Sequence, residues 1–326
     1  MKLPNLLSHA TQFVAGLIVF LTSLLVGCGG GGDSSNSNGN VTAITVFIPD
    51  TGQTASYTTT FGEDSDYTIN SPSYTDNGDG TITDNVTNLV WQKDDDGTLR
   101  TWSEATAYCG SLSLPGMGWR LPTTFELVGI AAYSSTILPN INLSYFPTTK
   151  LGYYWAATPY AGNTGATSST WGFLFNGGVT GYNDNKTYTS FVRCVRGVLS
   201  YSRFSDNGNG TVTDAGRNLI WQKQDDGTVK SWEQALLYCD GLSVGGFTDW
   251  RLPNVKELNA LVDYTTVNPA INSMYFPNTQ SAYYWTSTTN TSAPTLAFLV
   301  SFGGGNISGT YDKTSLHYSR CVRGGI

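Results

Sequence analysis

Trp119-Arg120-Leu121-Pro122-Thr123-Thr124-Phe125-Glu126-Leu127 returns 131 positions later as Trp250-Arg251-Leu252-Pro253-Asn254-Val255-Lys256-Glu257-Leu258. Any fold for this chain must build that segment twice, in the same local geometry. Each copy reads as an extended approach that turns into a helix. Pro122 and Pro253 disfavour the helical region for the leucine before them. Thr123 then caps a helix with Glu126 three residues on, and Asn254 with Glu257 repeats this capping box. The helices are expected over 124–133 and 255–264. Trp119, Leu121, Trp250 and Leu252 supply apolar bulk just before the turn. Arg120 and Arg251, between them, are expected to fork onto a carboxylate or carbonyl and lock it. Trp119, Arg120, Glu126, Trp250, Arg251 and Glu257 are therefore read as structural.

The repetition extends well beyond this turn. Asp76-Asn77-Gly78-Asp79-Gly80-Thr81-Ile82-Thr83-Asp84 returns as Asp206-Asn207-Gly208-Asn209-Gly210-Thr211-Val212-Thr213-Asp214. Paired turn dipeptides followed by an alternating Thr-Ile-Thr signal a hairpin. Leu89-Val90-Trp91-Gln92-Lys93 and Leu219-Ile220-Trp221-Gln222-Lys223 read as strands that bury Trp91 and Trp221. A helix follows in each copy, capped by Thr101 with Glu104 and by Ser231 with Gln234. Tyr153-Tyr154-Trp155 matches Tyr283-Tyr284-Trp285, and Arg193-Cys194-Val195-Arg196-Gly197 matches Arg320-Cys321-Val322-Arg323-Gly324. The offset stays between 127 and 131 throughout, so loops have changed length by a few residues in a tandem duplication. Copies of this size are domains, not solenoid repeats. The boundaries are expected at 44–198 and 199–326, with a short join that holds the pair close. Residues 41–48 could add a first strand.

Four of the five cysteines fall inside the copies, at Cys109, Cys194, Cys239 and Cys321. Four cysteines allow three pairings. The repeat selects one bridge per copy, Cys109–Cys194 and Cys239–Cys321. The fifth, Cys28, ends a different kind of segment. Lys2 precedes an apolar run over 13–26, and Leu25-Val26-Gly27-Cys28 looks like a bacterial lipobox. Residues 1–28 are thus read as a lipoprotein signal peptide ending at a lipidated Cys28. The Gly/Ser/Asn-rich stretch 29–43 is read as a flexible tether. Gly29, rather than Asp, after the lipid-bearing residue favours the outer membrane. Lipid anchoring makes the membrane the first expected partner, and an exported protein is the setting in which disulfides persist.

Charge narrows the other partners. The net charge is −7 and no long basic run opposes it, so a nucleic acid held by bulk electrostatics is excluded. The two histidines, His9 and His317, and the absence of a Cys-x-x-Cys pair argue against zinc.

Taken in order, Asp-Asn-Gly-Asp-Gly-Thr, Leu-Val/Ile-Trp-Gln-Lys, Trp-x-x-Ala-x-x-Tyr-Cys, Trp-Arg-Leu-Pro-x-x-x-Glu-Leu, Tyr-Trp and Arg-Cys-Val-Arg-Gly make each copy resemble the Lcl C-terminal-domain family. That family takes its name from a bacterial collagen-like adhesin and is a domain of unknown function. The resemblance implies an α+β chain of two tandem C-type-lectin-like domains. Each would hold two helices, a small mixed sheet, long loops and one disulfide from the first helix to the last strand.

Such a fold implies recognition, and the candidate contacts follow from it. Tyr153, Tyr154, Trp171, Tyr182, Tyr283 and Tyr284 could stack on sugar rings. The loops 159–170 and 288–295 differ most between copies, which is where recognition usually sits on a rigid scaffold. The calcium signatures of sugar-binding C-type lectins are absent, and no cofactor is expected. Asp94, Asp95, Asp96, Asp225 and Asp226 are the residues a calcium ion would use if the acidic turns held one. Formylglycine-generating enzymes share the fold and an Arg-Leu-Pro-Thr turn before a Glu, but they need reactive cysteines, and here bridges account for all four. No Ser-His-Asp set exists. The expectation is a non-catalytic surface recognition or adhesion lipoprotein that binds a glycan or a protein. A structural protein–protein module of a surface assembly is the alternative.

Overall fold

The computed structural model describes residues 47–162, 169–183, 185–199 and 204–325. The proposed signal peptide, Cys28 and the tether lie outside them. The first unit runs β1 (Tyr74–Asp76), β2 (Thr81–Asp84), β3 (Val90–Gln92), α1 (Trp102–Gly110), α2 (Thr124–Ile130), β4 (Tyr153–Pro159), β5 (Thr170–Leu174), β6 (Val179–Asn183) and β7 (Val195–Arg196). The second repeats that order as β8 (Phe204–Asp206), β9 (Thr211–Asp214), β10 (Leu219–Gln222), α3 (Trp232–Asp240), α4 (Val255–Asn259), β11 (Tyr283–Thr289), β12 (Leu296–Ser301), β13 (Ile307–Asp312) and β14 (Val322–Gly324). The chain is thus two tandem α+β units.

Each unit has two small sheets. One is four-stranded, ordered β1-β2-β3-β7 in the first unit and β8-β9-β10-β14 in the second; the other is three-stranded, β4-β5-β6 and β11-β12-β13. All named pairings are antiparallel. The parallel component of the expected mixed sheet is confined to the single bridges Tyr154↔Phe191 and Tyr284↔Tyr318. The β1–β2 hairpin forms because Gly78 and Gly80 adopt φ of 73° and 85°, which a side chain resists, and Gly208 and Gly210 repeat this.

All four described α-helices start on capping boxes, at Thr101/Glu104, Thr123/Glu126, Ser231/Gln234 and Asn254/Glu257. The second helix of each unit is shorter than expected. It stops where the chain turns to pair with a neighbouring segment, at the bridges Ala131↔Ile141 and Val262↔Ile271, with Ala132 N and Asp263 N donating to Asn140 O and Ala270 O. Phe47 and Ile48, the described end of the expected first strand, join no strand.

The bridges are Cys109–Cys194 and Cys239–Cys321. In each unit the sulfurs are buried beside a tryptophan pair, Trp119 with Trp155 and Trp250 with Trp285. The main core is continuous across both units. Tyr133 of the first meets Phe298 of the second edge-on at 4.9 Å, and Trp171 meets Tyr264 at 5.3 Å. Such rings bury large apolar areas, so the join is a core and not a linker contact.

The segment before β1 does something the sequence order hides. Residues 47–69 precede the first unit but pack on the second. Gln53 Nε2 donates to Tyr133 O of the first unit and to Thr289 O of the second, while Thr289 N donates back to Gln53 Oε1. Thr288 Oγ1 donates to Asp64 Oδ2 at 2.6 Å. The Tyr67 ring lies 5.4 Å from the Arg251 guanidinium. Lys256, 1% exposed, donates from Nζ to Asp50 O and Gly129 O, both at 2.8 Å. This strap therefore seals one side of the seam between units.

Sealing it buries charge. Burial, reinforced by Asp50, lifts the Asp64 carboxyl to about 7, and burial lowers Lys256 to about 8. A carboxyl raised in the folded state holds a proton that the unfolded chain releases. Its stabilisation is complete below pH about 4 and is lost as pH rises through about 7. Lys256 acts oppositely: its contribution is present above about 10.5 and lost as pH falls through about 8. Asp64→Asn should flatten the fall in unfolding free energy between pH 4 and 7, a span on the order of a few kcal/mol. Denaturant titrations at pH 4, 5.5 and 7 measure this; parallel slopes in wild type and variant would disprove it.

Candidate functional site

Among the described residues, the other side of the seam is open. A groove of about 720 Å³ runs between the units, within the size range of ligand sites. Its first wall comes from the turn into α2 and the end of β4, with Arg120, Thr123, Phe125, Thr158 and Pro159. Its second wall is the segment after α4, from Asn259 to Thr265, and Arg217 also lines it. The capping box on Thr123 begins α2 at the wall, which leaves Phe125 in the first turn half-buried beside the opening. The bridge Val262↔Ile271 lays 260–265 along the opposite side.

The groove combines apolar surface with hydrogen-bond donors. Phe125, Leu261, Val262 and Tyr264 supply the apolar part. The Arg217 guanidinium lies 5.0 Å from the Phe125 ring and pairs with Asp214 at 2.9 Å. Arg120 forks onto Glu126 with Nη1 and Nη2 at 2.8 and 2.7 Å. Its side chain is 35% exposed, whereas the equivalent Arg251, forked onto Glu257, is 2% exposed under the strap. Thr158 Oγ1 accepts the Thr124 N–H at 2.9 Å and makes no hydrogen bond as a donor among the described residues. Asn259 is 1% exposed; its Oδ1 accepts Tyr264 OH, and its buried Nδ2 has no acceptor among the described residues. A buried donor without a partner costs about 1–3 kcal/mol, so an acceptor arriving there is favoured.

The residues expected to stack on sugars are mostly elsewhere. Tyr154 and Tyr284 are fully buried, and their hydroxyls donate to Asp95 Oδ2 and Asp225 Oδ2. Trp171 is 1% exposed and sits edge-on between Tyr160 and Tyr264. These three present no face to a ligand, because strand alternation turns them into the core. Tyr153 is exposed, and Tyr283 is half-buried against Tyr311 and His317, its hydroxyl accepting Asn306 Nδ2. Neither lines the groove. The Tyr182 side chain lies outside the described residues.

The acidic turns are also committed. Arg193 is wholly buried; its Nη1 donates to Gln92 O and Lys93 O, and its Nη2 to Asp95 Oδ2 and Thr149 Oγ1. Arg320 repeats the set on Gln222, Lys223, Asp225 and Thr279. Asp96 forks onto Arg100, which helps hold its carboxyl at about 2, and Asp226 pairs with Lys230. Only Asp94 points to water without such a partner. These carboxylates answer cationic side chains rather than forming a calcium cradle. Among the described residues, no group of three His, Cys, Asp or Glu side chains could hold a metal ion. Trp91 and Trp221 are fully buried under the four-stranded sheets, and Trp119 and Trp250 are 7% and 2% exposed.

Reading the sequence missed Phe125, Thr158, Arg217 and Asn259. One signal was present: Phe125 and Lys256 occupy the same repeat position with opposite chemistry, as do Val128 and Asn259. Position by position, the repeats diverge where one seam is sealed and the other open.

The family model for the Lcl C-terminal domain matches residues 80–196 and again 210–323. The chain belongs to the Lcl C-terminal domain family. Both matches start within the first hairpin of a unit and end at its last strand, so each unit is one such domain. The strap lies outside both matches, and the groove is built from both domains. No curated protein matches the chain.

Proposed function

We propose that this tandem Lcl C-terminal domain chain is a non-catalytic recognition protein of the bacterial cell surface. In this reading Cys28 carries the lipid anchor, residues 29–43 tether the domains to the outer membrane, and the ligand, a glycan or a protein, enters the inter-domain groove. The observation that carries it is the groove itself: a large, partly apolar cleft lined by Asn259, whose buried Nδ2 has no acceptor among the described residues. Non-catalytic binding is supported by what surrounds it. The four bridged cysteines are not nucleophiles, Glu126 is held by Arg120, and Asp263 accepts from Thr265 N and Oγ1. His317 is packed edge-on against Trp285 and Tyr311, with its proton affinity lowered by burial.

The test is a ligand screen of the full chain against glycan and peptide arrays, with calcium and with chelator, followed by Phe125→Ala. The substitution should weaken any true ligand about tenfold or more while leaving thermal unfolding within a few degrees. A ligand whose affinity is untouched by Phe125→Ala binds elsewhere, and the groove reading fails.

A further inference from the structure

The two domains meet through one contact used twice. Tyr133 packs edge-on against Phe298, and their repeat counterparts Tyr264 and Trp171 do the same. Repeat partners therefore occupy matching places on the two sides of the seam. On the groove side, the Tyr160 ring lies edge-on to Trp171 at 5.6 Å. Its hydroxyl reaches across to Gly304 of the second domain, 3.8 Å from where a Cβ on that glycine would stand. A six-membered ring thus plugs the space between the domains there. On the strap side, the counterpart of Tyr160 is Asn290. Its side chain folds back onto its own domain, Nδ2 donating to Gly309 O and Oδ1 accepting Ser292 N–H. A cavity of about 150 Å³ takes the place of the ring, bounded by both domains. A cavity of about that size in a protein interior holds one benzene-sized ring.

The lining differs from the plugged side in one consistent way. Asn140 and Asn176 stand where the second domain has Ala270 and Gly303, so amides replace residues without polar side chains. No side chain of the lining carries a charge. Tyr133 and Phe298 are buried, and Leu138, Asn176 and Ser292 are exposed at the mouth. Asn140 spends one N–H on Ser135 O and accepts Gly177 N–H, which leaves its amide one donor and one acceptor more. The side chains of Asn176 and Ser292 make no hydrogen bond among the described residues. Thr291 Oγ1 donates across the seam to Ser135 O at 3.1 Å, which pins the loop over 288–295 to the first domain and preforms the cavity.

We infer that this cavity takes one neutral sugar ring, the terminal residue of a glycan. Its C–H groups pack on Phe298, and its hydroxyls meet Asn140, Asn176 and Ser292. Hydroxyls and amides both donate and accept, so each can satisfy the other. An ion would find no counter-charge here, and a purely apolar ring would strip water from the amides without replacing it. An extended peptide needs a channel longer than one ring. The site adds a contact to the recognition role proposed above, and it shares no lining residue with the groove.

The experiment titrates the methyl glycosides of glucose, galactose, mannose and N-acetylglucosamine into the full chain, with glucuronic and galacturonic acid as charged comparisons. Binding is read by saturation-transfer NMR, and thermal melts report the folding of every variant. At least one neutral glycoside should bind with a Kd of about 1 mM, as befits a ligand of this size. Asn290→Tyr installs the plugging residue of the other side and should abolish that binding. Asn176→Gly, at an exposed position, installs the second domain's residue and should weaken binding about threefold or more. It carries the test alone if Asn290→Tyr does not fold. No binding by any neutral glycoside, binding untouched by both substitutions, or uronic acids that bind as tightly would each overturn the inference. A sugar lost in Phe125→Ala but kept in both cavity variants belongs to the groove; that result overturns this site and leaves the groove reading standing.

Discussion

Replacing Cys239 and Cys321 together by alanine should lower the unfolding free energy by about 4–5 kcal/mol, the loop-closure entropy of a bridge spanning 82 residues. The same is expected of Cys109 with Cys194, which span 85. Alanine is the right replacement because the sulfurs lie in apolar surroundings, where a serine hydroxyl would add a cost of its own. Because one core runs through both domains, either loss should weaken the whole body rather than release a single domain. Denaturant unfolding of wild type and the two double variants, followed by tryptophan fluorescence, measures this. An unchanged midpoint in either variant would show that its bridge contributes nothing.

The second large effect is expected at the buried guanidiniums. Asp225→Ala strands Arg320, which is wholly buried, and removes the acceptor of Tyr284 OH. Breaking one half of such a pair costs about 3–5 kcal/mol, since the remaining charge has neither water nor a counter-ion. Burial already lowers the proton affinity of Arg320, in keeping with a cation that depends on its neighbours. Arg320→Met combined with Asp225→Ala should recover part of the loss, because the orphaned charge goes with its partner. The same cycle can be run on Asp95 and Arg193 in the first domain. Strictly additive losses in the double variant would mean the pair is not coupled.

Several of these features were legible before any fold was known. The capping boxes are written in residues three apart, so local sequence alone specifies them. Arg120 and Glu126 are close in sequence for the same reason, as are Arg251 and Glu257. The tyrosine pairs were harder. Alternation along a strand says that Tyr153 and Tyr154 face opposite ways, but not which of them faces the core. Tyr154 does, because it reaches Asp95, which lies 59 positions earlier in the chain. The acidic turn hid a similar distinction. Asp94, Asp95 and Asp96 look alike in sequence, yet only Asp95 is drawn inward, by an arginine 98 residues away.

By itself the sequence determined the duplication, the family, the helix starts and the two disulfides. The duplication, the helix starts and the disulfides are set by spacing within one copy or by comparing one copy with the other, and the family follows from the resemblance that the motifs carry. Only the tertiary structure decided that the segment before the first domain straps the second, that the domains share a core, and that one side of their seam is sealed and the other open. Those outcomes depend on which distant surfaces meet. Gln53 and Thr289 lie 236 residues apart, and nothing in the local pattern of either records the pairing. The groove arises because two copies of one surface meet different neighbours, so its chemistry belongs to the assembly of the domains and not to either alone.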